Sequence, residues 1–225
     1  IFEVANTSET LATFIQSISS FSNVQEMGSL MERIASVALS TLNGSFAVVA
    51  KRSQRGWLLR SSGKAPLLLH SLHNSAAQFL EEAIRSPYTF RMRDLRKDRR
   101  SAIIRLDSTT LSSLLACPIQ TNGQNTGLIL VFGKQEGDAF LDSDVFLAEL
   151  LASNAARNLE SCVLNQELRT NLETTQLLYG LSLEISLAED LNQAVHVIAE
   201  TALKLMQARS CGLVLVRNDG RKETA

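Results

Sequence analysis

Thiols and imidazoles are the first side chains to question, because a thiolate can attack or bond a chromophore and an imidazole can hold a metal. The chain carries Cys117, Cys162 and Cys211 at wide spacings. An odd, widely spaced set fits reduced thiols better than a disulfide framework. Cys117 stands mid-strand before Pro118 and reads as a packed core thiol. His70 and His73 are three apart and could share a helical face as metal ligands, but no Cys, Asp or Glu stands at ligand spacing beside them, so they read as a surface loop with no metal. His196 reads as solvated or satisfied in the core. The run Arg91 to Arg100 (RMRDLRKDRR) is locally basic and could receive an anion or nucleic acid. Its interleaved Asp94 and Asp98, and its lack of stacking aromatics, favour a solvated loop that binds no nucleic acid. Arg91 is the exception to test, since it adjoins an apolar segment. No glycine-rich phosphate loop, HExxH, GxSxG or kinase signature occurs, and no paired carboxylates stand beside a histidine. The expectation is a chain with no catalytic site and no cofactor.

Bulk composition bounds the rest. At 225 residues and 45% hydrophobic, the chain can bury a sizeable core with length to spare. Its 22 Lys and Arg against 23 Asp and Glu give a net charge of -1, so no global field draws it to nucleic acid or an anionic membrane. No apolar run approaches the roughly 20 residues that cross a bilayer, and no basic-then-apolar signal segment opens the sequence. A cytoplasmic location is expected.

The elements that must position any site follow from periodicity. From Ser8 to Leu42 apolar residues recur at helical spacing and predict two amphipathic helices, with Ser22 and Asn23 as polar cap residues between them and Asn43-Gly44 as a left-handed stop. The period then changes. Ser45 to Lys51, a turn at Ser53 to Gly56 and Trp57 to Arg60 predict a hairpin. Ser75 to Arg85 predicts a short helix ended by Pro87, and Tyr88 to Met92 a short strand. Leu114 to Gln120, the turn Thr121 to Gln124 and Gly127 to Gly133 predict a second hairpin whose strands are apolar on both faces and need cover from both sides. From Leu141 to about Tyr179 there is no Gly or Pro, and leucines recur throughout. A helix of that length exceeds what a domain needs for its own cover. It should pair with a second copy or a neighbouring domain, although Asn154, Asn158, Ser161 and Asn165 interrupt a strict heptad.

A repeat at domain scale decides the organisation. Ile34 to Leu42 followed by Asn43 to Ala50 matches Ile198 to Met206 followed by Gln207 to Val216, helix on helix and strand on strand. Phe21 to Leu30 likewise matches Ile185 to Ala194. The expected domains are therefore a sensory domain over 8–160, a connecting helix over 141–180, and the start of a second, incomplete copy over 177–225.

A helix pair, a hairpin, a variable middle, a hairpin reading LLACPIQTNGQNTGLILVFG and a segment opening FLDSDVFLAELL closely resemble the GAF family, with Pro118, Gly123, Gly127, Phe140 and Asp144 at the family's characteristic positions. The resemblance implies an α+β, PAS-like fold: a central antiparallel sheet, terminal helices bundled on one face, and a ligand pocket on the other roofed by the variable segment. On that resemblance the pocket side would comprise Trp57, Phe79, Tyr88, Arg91, Leu115 and Cys117. Cyclic-nucleotide-binding relatives carry an Asn-Lys pair, then Phe and Asp-Glu. Here Gly133-Lys134, Phe140 and Asp144-Val145 keep only the Lys, the Phe and the first acid, which implies a structural Lys134 to Asp144 ion pair. Bilin-binding relatives need a cysteine in or beside the pocket helices and sulfoxide-reducing ones paired pocket cysteines; here Cys117 stands mid-strand with no second cysteine nearby.

The resemblance implies a cytoplasmic, bacterial-type sensor that binds an unidentified small molecule. It would relay its state through a long helix in a homodimer, to an output domain such as a kinase or cyclase. The alternative is a structural dimerisation module whose pocket is filled by its own side chains.

Overall fold

The computed structural model describes residues 15–24, 26–63, 75–95, 97, 113–135, 139–187, 191–206, 208–212, 214–216 and 222–224. Residues 15–19 are helical and pass into a 3-10 turn at Ser20–Asn23; the expected helix start at Ser8 lies outside the described residues. Helix α1 is Met27–Thr41, strand β1 Gly44–Ser53, β2 Gly56–Gly63, helix α2 Ser75–Ala83, β3 Phe90–Met92, β4 Leu114–Thr121 and β5 Gln124–Lys134. Helix α3 follows at Asp142–Leu187, then α4 at Leu191–Met206 and a small hairpin of β6 (Val214–Val216) and β7 (Lys222–Thr224).

Local chemistry explains most of these boundaries. Leu42 caps α1 and Asn43 then turns left-handed at φ 48°, a conformation asparagine tolerates. The cap at the other end differs from the expectation drawn from Ser22 and Asn23. Glu26 is the N-cap residue of α1 and makes no side-chain cap, while the Ser22 hydroxyl donates back to the Ser19 carbonyl at 2.8 Å. Its position inside the 3-10 turn makes that carbonyl the nearer acceptor. The β4–β5 turn is Asn122-Gly123, with both φ angles positive at 52° and 75°, the geometry of a two-residue primed turn.

All five main strands pair antiparallel in the order β2-β1-β5-β4-β3. The sheet is covered on both faces, as strands apolar at every position require. On one face Ala47, Val49, Leu115, Cys117, Ile119, Ile129 and Val131 meet α1 and the first part of α3, through Leu30, Met31, Ile34, Ala38, Leu151, Ala155 and Leu159 among others. On the other face Phe46, Val48, Leu114, Ala116, Leu128, Leu130 and Phe132 meet α2. Pro118 fits inside β4 because β3 reaches only as far as Ala116, so that among the described residues β4 has no partner on that side at Pro118 and can do without one N–H. Gly127 lets β5 approach β1, since a Cβ there would stand 2.6 Å from the Ala50 carbonyl oxygen.

The chain divides into two compact units, 1–163 and 164–225. Helix α3 is a single element of 46 residues that passes from the first into the second, running through Gly180. Within the second unit Val195 of α4 is buried, and β6 and β7 pair from Val214↔Thr224 to Val216↔Lys222. Among the described residues no helix is long and apolar enough to cross a membrane.

Candidate functional site

The face under α2 is where the fold positions an apolar body. Phe79, Leu80, Ala83 and Ile84 lie buried against the sheet, with Trp57, Leu59 and Phe90 partly buried at the margin. Phe46 and Phe132 stand side by side with ring centroids 5.9 Å apart, tilted by 32°. Polar groups occur at the rim and fasten α2 in place. Trp57 Nε1 donates to Glu81 Oε1 at 3.1 Å, and Arg52 approaches the other oxygen of the same carboxylate at 3.6 Å. Asn125 donates to the carbonyls of Ile84 and Ser86 at 2.6 and 2.9 Å, satisfying acceptors just past the helix end. Gln120 donates to the Pro87 carbonyl at 3.0 Å. Chemically this packing excludes water, and what fills it is the chain's own apolar side chains.

The six residues expected at a pocket are not brought together. Phe79 and Trp57 share the α2 face. Leu115 and Cys117 lie on the opposite face, packed with α1 and α3. Strand alternation is the reason: Leu114 and Ala116 take the α2 side, so their neighbours must take the other. The Cys117 thiol accepts a hydrogen bond from Thr89 at 3.3 Å, and its pKa is pushed up to about 11, chiefly by burial. That keeps it protonated and a poor nucleophile at neutral pH. Tyr88 is 76% exposed and faces solvent. Arg91 also points away from α2, toward the start of α3. His70 and His73 lie outside the described residues, as do positions 96 and 98–100 of the basic run; among its described residues Lys97 pairs with Asp94 at 3.8 Å. His196 is paired with Glu200 on α4 at 3.3 Å. Among the described residues no cluster of His, Cys, Asp or Glu is arranged to hold a metal.

A second polar constellation fastens the start of α3. Lys134 Nζ stands 2.8 Å from Asp144 Oδ1, with both side chains largely buried, and also donates to the Leu42 carbonyl at 3.0 Å. The other Asp144 oxygen accepts the Leu141 backbone N–H at 2.7 Å, half of a capping box at the helix N-terminus. The ammonium lies 5.6 Å from the Phe140 ring centroid. Alongside, Arg91 pairs with Asp142 at 2.6 Å and donates to the Phe140 carbonyl at 3.1 Å. Sequence reading missed this Arg91 contact and the Asn125 clasp. The alternation of Phe90, Arg91 and Met92 and the paired acids at 142 and 144 are the signals that pointed to the first of them.

The family profile described as "GAF domain" matches residues 24–160. Among solved structures, the GAF domain of a phosphoenolpyruvate-protein phosphotransferase from Acinetobacter superposes with a TM-score of 0.54 at 14% identity, over 67% of this chain and 92% of that one. A free methionine-R-sulfoxide reductase from Neisseria meningitidis, solved with its substrate, gives 0.52 at 13% identity over 68% and 89%. The photosensory core module of a Stigmatella aurantiaca phytochrome gives 0.65 at 12% identity over 97% of this chain and 49% of its own, so this chain spans about half of that module. At such identities the likeness is one of fold. No curated protein sequence matches the chain.

Proposed function

This chain belongs to the GAF domain family, and on that premise we propose that it is the sensory part of a signal-transduction protein. A small ligand held on the sheet face under α2 biases how α1 and α3 pack, and α3 carries that bias onward. The chain binds and relays, and does no chemistry of its own. The observation that supports this reading most is the continuity of α3. Its early residues, among them Ala148, Leu151, Ala155 and Leu159, belong to the domain core, whereas Leu164, Leu168, Leu172, Leu178, Tyr179 and Leu183 are all exposed. At 3.6 residues per turn those six fall on one side of the helix.

An apolar stripe of that length is costly in water. A second copy in parallel register is the occupant that supplies a matching stripe, so the working state is a cytoplasmic homodimer. The α4–β6 segment repeats the α1–β1 order in sequence and structure, which supports reading it as the opening of a second GAF-like domain. An output domain such as a kinase or cyclase would then receive the signal.

A second reading draws support from the depth at which Phe79 and Leu80 are buried against the sheet. On that reading the face is filled by the chain itself and the domain only dimerises. Native mass spectrometry of freshly purified protein separates the two. A retained small molecule, together with a thermal shift when it is removed and restored, supports the sensor. Bare protein with no ligand-dependent shift supports the dimerisation module.

A further inference from the structure

Among the described residues strand β3, three residues long, stands last in the sheet, and its side chains reach both faces. Phe90 and Met92 join the cluster under α2, while Arg91 between them turns to the helix side. There its guanidinium holds two successive points at the start of α3: Nη2 stands 2.6 Å from Asp142 Oδ1, and Nη1 donates to the Phe140 carbonyl at 3.1 Å. The other fastening of this helix start, Lys134 to Asp144, comes from β5, which is bonded to strands on both sides. The two fastenings differ in firmness. The lysine pair is largely buried, whereas the Arg91 and Asp142 side chains are 37% and 94% exposed, and among the described strands β3 pairs with β4 alone. Upstream, β3 is tied to α2 by residues 84–89, whose carbonyls at Ile84, Ser86 and Pro87 are held by Asn125 and Gln120.

From this geometry we infer that Arg91 is a positioning residue that couples the seating of α2 to the first turn of α3. A change in how α2 lies on the sheet shifts β3, and β3 carries Arg91 with it. The helix start then loosens or tightens at Asp142 while Lys134 keeps its base in place. An exposed ion pair is weak, which suits a contact that has to break and re-form. The inference rests on the sensor reading for its purpose, but its physical content, a coupling between α2 and α3 through Arg91, does not require a ligand.

A double-mutant cycle read by hydrogen exchange tests it on the full chain. Phe79→Leu loosens the seat of α2 without removing its apolar character, and exchange is followed in a peptide spanning 141–152. The expected result is exchange roughly threefold faster in Phe79→Leu than in the wild type, and less than about 1.5-fold faster when Arg91→Ala is already present. At about 1 M NaCl, where salt ions compete for an exposed pair such as this one, the difference between the two backgrounds should shrink. Asn125→Ala, which releases the carbonyls at the end of α2, replaces Phe79→Leu if that variant does not fold. An effect of equal size with and without Arg91, or no effect on 141–152 at all, overturns the coupling. Native mass spectrometry showing no retained molecule would count against the sensor reading and leave this coupling standing.

Discussion

Lys134 stands where two helix ends converge. Its ammonium serves a carbonyl at the C-terminal end of α1 and a carboxylate in the first turn of α3, so each charge lies at the end of a helix dipole that favours it. Removing the cation strands a buried anion. Lys134→Met is therefore expected to lower the unfolding free energy by about 3 kcal/mol, and adding Asp144→Asn to recover part of that loss, since the amide oxygen can still accept the Leu141 N–H. Urea denaturation of the three proteins measures it; a single-variant loss below about 0.5 kcal/mol would mean the junction is not fastened by this pair. Cys117 gives a pH-dependent expectation. Burial raises its pKa from 9.0 to about 11, with the nearby Glu149 charge adding to the rise and the Thr89 hydrogen bond opposing it. The unfolded chain releases this proton near pH 9 while the folded chain keeps it to about 11, so the folded state loses stability as pH climbs through that window. The stability advantage of the wild type over Cys117→Ala should be constant below pH 9 and fall by roughly 2–3 kcal/mol by pH 11. Parallel curves for the two proteins would contradict it.

At the scale of elements, the turns were legible and the faces were not. Asn122-Gly123 announces a primed two-residue turn, and the backbone there adopts it. Leu114 to Ile119 is apolar at every position, so nothing in the sequence says which parity faces α2; reading it one residue out moves Leu115 and Cys117 to the wrong side of the sheet. The far end of α3 escaped for a different reason: Gly180 looks like a stop, yet the helix continues to Leu187. A Cβ added at Gly180 would meet nothing within 4 Å, so the residue is a weak point without a packing role. Gly180→Ala should stabilise this stretch by about 0.5–1 kcal/mol, seen as slower hydrogen exchange in 176–186. Faster exchange in the alanine variant would show that the helix does not run through this position.

At the scale of the molecule, the GAF fold supplies a sheet with two dissimilar faces, and α3 is the element that leaves one of them. Its first part is buried with the sheet and α1, and its later leucines are bare. That contrast could be anticipated from the leucine recurrence past Leu159, because periodicity reports an apolar stripe whether or not a partner covers it. What covers the stripe is the point on which the relay turns. Sedimentation velocity across a concentration series, on the wild type and on a Leu168→Glu, Leu172→Glu variant, measures it most directly. The relay account predicts a wild-type dimer and a variant that sediments as a monomer with the circular dichroism of the first unit intact; a wild type that stays monomeric at high micromolar concentration would contradict it.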